Sequence, residues 1–113
     1  MARFSSVGEF SPALTVVGVG SVNSNPLTTA AAKDARAYVH VTALGVGANL
    51  EVEVQVSHDL TRWATVAAFN TITATGDYVQ PLREDQLGKY TRLRYTAAVG
   101  SFTLGATLEK KTG

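Results

Sequence analysis

Cysteine is absent from the 113 residues, and the chain has only three prolines, one methionine and one tryptophan. Without cysteine there is no disulfide, no thiolate metal site and no cysteine nucleophile, so stability rests on packing or on neighbouring chains. Charge is also sparse: Lys and Arg total 10 against 9 Asp and Glu, a formal +1 with 17% charged residues. A nucleic-acid partner is therefore not expected, because it demands a basic excess on one face. No window approaches the roughly 18 consecutive apolar residues of a membrane helix. The amino terminus MARFSSVGEF lacks a charged region followed by an apolar run, so neither an export signal nor a membrane segment is expected. At 11.9 kDa the chain is long enough to close one hydrophobic core and too short for a second lobe.

Alternation is what the sequence has in quantity. From Leu50 the residues Leu50, Val52, Val54 and Val56 fall on one face and Glu51, Glu53, Gln55 and Ser57 on the other, the period of a half-buried strand. RWATVAAF follows, with Trp63, Thr65, Ala67 and Phe69 in one alternation class, and the intervening SHDLT has the length and polarity of a hairpin loop. This alternation predicts that Trp63 packs across the core against the valine strand. KYTRLRYTAA and SFTLGATLEK alternate in the same way, and AVGS between them predicts a second hairpin. ARAYVHVTAL is a further strand, while LTVVGV and TITATGDYVQPL are weaker ones interrupted by glycine. LTTAAAKDARA carries alanines that favour a helical turn, but its valine- and threonine-rich flanks argue for a loop or short turn. No segment has a sustained helical period. About seven strands separated by Gly, Asn, Asp and Pro turns predict an all-β fold, an antiparallel sandwich of jelly-roll or Greek-key type.

The first third has no such pattern. Phe4, Val7, Phe10 and Leu14 are spread among Ser, Gly and Pro, and two aromatic residues are out of place in a purely solvating tail. These four residues favour an extended arm that packs on another subunit; the alternative is a strand that closes the chain's own sandwich. The corresponding division places an amino-terminal arm and first strand at 1–34 and the sandwich domain at 35–113.

Chemistry-bearing residues are few. His58, Asp59 and Arg62 lie in or next to the hairpin loop, where Asp and Thr are favoured because they bond nearby backbone amides. No nucleophile setting such as Gly-x-Ser-x-Gly accompanies the histidine, so an enzyme is not expected. His40 and His58 have no ligand partner at a recognised spacing, DYVQPLREDQLG lacks the pattern of a calcium loop, and GVGSVN lacks the third glycine and helix of a dinucleotide loop. No metal or cofactor is expected. His40 alternates with valines and is read as a strand residue with one hydrogen-bonded ring nitrogen. Tyr90, Arg92 and Arg94 share one strand face, a combination suited to a polysaccharide, a phosphate or an acidic protein surface. The plainer account is two exposed cross-strand pairs joining Glu51 and Glu53 to Arg92 and Arg94.

The order VEVQVSHDLTRWATVAAF, ITATGDY, KYTRLRYTAAVGSFTLGATLEKK, over about residues 36 to 110, resembles small β-sandwich proteins of tailed bacteriophage virions. In place of the usual Asp-Gly of the loop this chain has Asp59-Leu60, and the aromatic-arginine step is YTRLRY. The resemblance implies a non-enzymatic structural protein, most like a capsid decoration or cement protein. Such a protein would be made in the host cytoplasm and bound to the major capsid protein on the virion surface at coat-subunit junctions, as a homo-oligomer (dimer or trimer). A tail or fibre module that binds a host receptor or glycan is the alternative.

Overall fold

The computed structural model describes residues 4–17, 20–30, 32–45, 47, 49–97 and 101–112, and the surroundings of side chains for residues 8–11, 21–30, 32–45, 47, 49–97 and 101–111. Two antiparallel sheets pack face to face in an all-β sandwich. The strands are β1 (Phe4–Val17), β2 (Gly20–Asn23), β3 (Leu27–Thr28), β4 (Ala32–Leu44), β5 (Leu50–Ser57), β6 (Ala64–Ala68), β7 (Gly76–Arg83), β8 (Tyr90–Ala97) and β9 (Ser101–Thr112), with a 3₁₀ turn at Glu84–Gln86. One sheet has the order β1-β9-β4-β7. The other has the order β2-β8-β5-β6, with β3 also paired to β8.

Burial follows the alternation. Leu50, Val52 and Val54 of β5 and Leu93, Tyr95 and Ala97 of β8 face inward from one sheet. They meet Ala37, Val39 and Val41 of β4 and Phe102, Leu104, Ala106 and Leu108 of β9 from the other. The Tyr95 and Phe102 rings stand 6.4 Å apart, tilted by 59°, within the separations that aromatic pairs prefer. Phe69 and Ile72 close one end of this core, and reciprocal backbone hydrogen bonds between Leu50 and Ile72, 2.9 and 2.8 Å, hold the crossing from β6 to β7.

Three expectations are corrected by this arrangement. β8 and β9 are not a hairpin: β8 pairs with β5 and β2, β9 with β4 and β1. Each has a continuous inward apolar face, and the two faces meet across the core instead of lying side by side. The alanine stretch forms neither helix nor loop from Ala32 onward, because β4 begins there, with Ala32, Ala35 and Ala37 buried. Residues 4–17 do not form an arm. β1 is the edge strand of its own sheet, registered on β9 from Phe4↔Lys111 to Val17↔Ser101. The ladder slips between Glu9 and Ser11, and at that bulge two consecutive residues, Phe10 and Ser11, are both buried. Phe10 is fully buried in the core cluster and is unavailable to a partner. Irregular spacing in the sequence was thus a bulged strand, whose slips break the period of two. The side chains of Phe4, Val7 and Leu14 lie outside the described residues.

A second interruption occurs opposite. β2 and β3 line the same edge of β8, separated by Ser24, Asn25 and Pro26. Ser24 keeps the pairing through the break: its N–H donates to the Leu93 carbonyl and its Oγ accepts from the Leu93 N–H, each at 2.8 Å.

Candidate functional site

The loop after β5 is organised by two side chains. Ser57 Oγ accepts from the N–H groups of Asp59 and Leu60 at 3.2 and 3.0 Å and donates to Asp59 Oδ1 at 3.0 Å. Asp59 Oδ1 in turn accepts from the N–H groups of Thr61 and Arg62, both at 2.9 Å. The Arg62 N–H, then that of Thr61, then the Ser57 hydroxyl hold the Asp59 carboxyl below its ordinary pKa. This network supports Leu60 in the left-handed region at φ 65°, a conformation that a glycine would take without strain. The Asp59 carboxylate is therefore used to build the turn, while His58 and Arg62 project from it exposed.

Beyond the loop, Trp63 departs from expectation. Pairing of β5 with β6 runs Val56↔Ala64 and Gln55↔Thr65, then Val54↔Ala67 and Glu53↔Ala68. Val66 is the extra residue of a bulge, and the face of every residue before it is inverted relative to those after it. Phe69 goes into the core. Trp63, of the same alternation class, instead lies half-buried on the outer surface. There the Arg92 guanidinium stacks over its ring at 4.1 Å from the centroid, a close cation–π contact.

Tyr90, Arg92 and Arg94 do share the outer face of β8, as their alternation predicted: Thr91, Leu93 and Tyr95 are buried, while Tyr90 and Arg92 are half-buried and Arg94 is exposed. The Glu–Arg pairs are replaced by a relay. The register sets Gln55 opposite Arg92, Glu53 opposite Arg94 and Glu51 opposite Thr96. Arg92 Nε donates to Gln55 Oε1 at 2.9 Å, Gln55 Nε2 to Thr65 Oγ1 at 3.4 Å, and Thr65 Oγ1 to Glu53 Oε2 at 3.1 Å. Among the described residues, none of the five ion pairs joins these glutamates to these arginines. Arg92 faces Gln55 and not a glutamate, and Glu53, although opposite Arg94, is engaged by Thr65. Burial, then the like charge of Arg94, lowers the Arg92 pKa; a guanidinium so lowered is still protonated at neutral pH. Lys89 lies 5.6 Å from the Tyr90 ring centroid and extends the cationic surface.

Two clefts flank the loop. One, of about 400 Å³, is bounded by Val56, His58, Arg62 and Trp63. The other, of about 410 Å³, lies between Thr29, Lys33, His58, Glu84 and Lys89, and there Lys33 and Glu84 are ion-paired at 3.5 Å. On the opposite sheet His40 Nδ1 is hydrogen-bonded to Asp77 Oδ1, both exposed. No group of three or more His, Asp or Glu is placed to hold a metal ion among the described residues.

No family model matches the chain and no curated protein matches it. Among solved structures, the fold is similar to that in the crystal structure of PBSX exported protein XepA, with TM-score 0.73 and 10% identity. The match covers 96% of this chain and 37% of that one, so the chain spans little more than a third of the length of this neighbour, and what the likeness shows is a shared β-sandwich fold.

Proposed function

We propose that the protein is a non-enzymatic structural component of a bacteriophage particle, seated on the outer capsid as a decoration protein that bridges coat subunits. The observation that carries this reading is the fold: nearly the whole chain superposes on part of a protein of phage PBSX. The mechanism is contact area instead of chemistry. The molecule measures 43 × 30 × 21 Å, so either broad face exceeds the roughly 800 Å² per partner of a standard interface.

The outer face of the β1-β9-β4-β7 sheet is the one suited to the coat. Toward its β7 edge Tyr38 is registered on Val79, and Val79 is one of two large apolar side chains left exposed among the described residues, at 51%. Around them the charges are neutralised in pairs, Arg36 with Glu109 and Asp34 with Lys111, which lowers the cost of covering them. Individually modest contacts of this kind add when copies repeat around a symmetric shell or within a homo-oligomer.

The test is electron microscopy and quantitative mass spectrometry of purified particles. Many copies on the shell, lost when Val79→Asp is introduced, are expected. Density confined to the tail would replace this reading with that of a tail-associated module, and absence from particles would end both.

A further inference from the structure

We infer that the cleft beside Trp63 binds an acidic saccharide, with the indole as the platform for one sugar ring and Arg62 as the partner of its carboxylate. The first observation is the ring itself. A tryptophan gains most from full burial, yet the Val66 bulge turns this one outward and leaves it half-buried at the rim of a cleft of about 400 Å³. That volume lies within the roughly 300–1,000 Å³ of small-ligand sites. Bulges of this kind re-aim side chains next to binding sites.

The second observation is that the ring is held in place before any ligand arrives. Arg92 stacks over it at 4.1 Å and is itself anchored to Gln55 at 2.9 Å, and Gln55 is 7% exposed. The ordering entropy of the platform is thus paid in the folded protein, and a ligand gains the full stacking energy. An aromatic face carries the negative side of its quadrupole, and the weakly positive C–H groups of a pyranose ring match it. A flat apolar ligand would match it too, but would leave the polar rim unused.

Charge selects the kind of sugar. The cleft wall carries His58, Asp59 and Arg62. The Asp59 carboxylate is turned to the loop backbone, its Oδ1 accepting from two backbone N–H groups and the Ser57 hydroxyl. The Arg62 guanidinium forms no ion pair among the described residues. It is a free fork-shaped donor beside an aromatic platform, which suits a carboxylate bidentately. Arg92, stacked on the ring, adds positive charge. A sugar bearing a carboxylate, such as a uronic acid unit, fits both features; a neutral sugar fits only the first. This inference does not depend on where in a particle the protein sits.

Trp63 is the only tryptophan, so intrinsic fluorescence reports on the site directly. The full chain is titrated with a uronic acid oligosaccharide, with a neutral oligosaccharide of the same length, and with inorganic phosphate. A saturable emission change is expected for the acidic oligosaccharide, with neutral sugar weaker by about tenfold, the loss expected of one charge-assisted hydrogen bond. Arg62→Ala should weaken acidic binding by the same factor with an unchanged thermal melt, because its side chain is exposed and the Asp59 turn uses only its backbone. Calorimetric titration of Trp63→Ala, whose fold is checked by circular dichroism, should show no binding. The inference is overturned by no saturable change with either oligosaccharide, by equal affinity for the neutral one, or by an equal response to phosphate alone.

Discussion

The hydroxyls of Ser11 and Tyr95 lie 2.9 Å apart inside the sandwich, joining β1 of one sheet to β8 of the other. Both residues are buried, Tyr95 fully. A polar tie in an apolar core costs little while it is satisfied and much when one side is removed. It therefore fixes which residues of β1 may lie inward, in a strand whose bulges would otherwise permit slippage. Tyr95→Phe leaves the Ser11 hydroxyl without this partner, and a loss of about 1–3 kcal/mol in urea-unfolding free energy is expected.

The same tyrosine predicts an alkaline limit. Burial raises its pKa from 10.0 to about 12, outweighing the opposing hydrogen bonds to Ser11 and Ser24. In the unfolded chain the phenol ionises near its ordinary value, while in the folded protein it cannot do so until about 12. Its contribution is thus complete below about pH 10 and is lost as pH rises through about 12. Stability measured against pH should fall over that window in the native protein and fall less in Tyr95→Phe.

Phe10 gives a sharper test of the edge strand. It is fully buried, so Phe10→Ala should cost roughly 3–5 kcal/mol, and removing residues 1–11 should abolish cooperative melting. A dispensable arm would give the opposite result: an unchanged melt after truncation.

Trp63 should behave unlike a core aromatic. Trp63→Ala is expected to cost less than Phe102→Ala, for which roughly 3–5 kcal/mol applies. A double-mutant cycle between Trp63 and Arg92 should give a favourable coupling of about 0.5–1 kcal/mol, the magnitude of an exposed cation–π pair.

Asp59 predicts an acid limit local to the loop. Its pKa is lowered by the N–H groups of Arg62 and Thr61 and by Ser57. The stabilisation is present above the ordinary carboxylate value of about 4 and is lost as pH falls through the lower folded one. Asp59→Asn should lower the melting temperature at neutral pH and remove part of its decline below pH 4, and amide exchange at Thr61 and Arg62 should become faster.

Regular alternation made β4, β5, β8 and β9 legible from sequence, because one inward face and one outward face is the whole pattern they obey. The Ser57–Asp59 turn was legible for a similar reason: its chemistry is local. What failed were the places where a single extra residue inverts the faces. Val66 separates Trp63 from Phe69 in that way, and the slip at Phe10–Ser11 hides β1 among residues with no apparent period. A bulge is set by the partner strand and leaves no mark in the bulged strand alone. Strand pairing escaped for a related reason. The few residues between β8 and β9 look in sequence like a hairpin turn, yet the two strands belong to different sheets. The Arg92–Gln55–Thr65–Glu53 relay could not be read either, since it depends on register across three strands.

The position of β9 has a kinetic consequence. This strand follows the other eight described strands in sequence and lies between β1 and β4 in its sheet. Until it emerges, β1 has no strand to pair with and β4 has one open edge, so that half of the sandwich cannot assemble progressively during synthesis. The hairpin of β5 and β6 can form early from neighbouring residues, but closure waits for the pairing of β1 with β9, far apart in sequence, and such folds mature on the order of milliseconds to seconds. A nascent chain that has not yet reached Ser101 therefore presents unpaired strand edges, and this is the stage at which it is most open to capture by a chaperone or by another copy of itself.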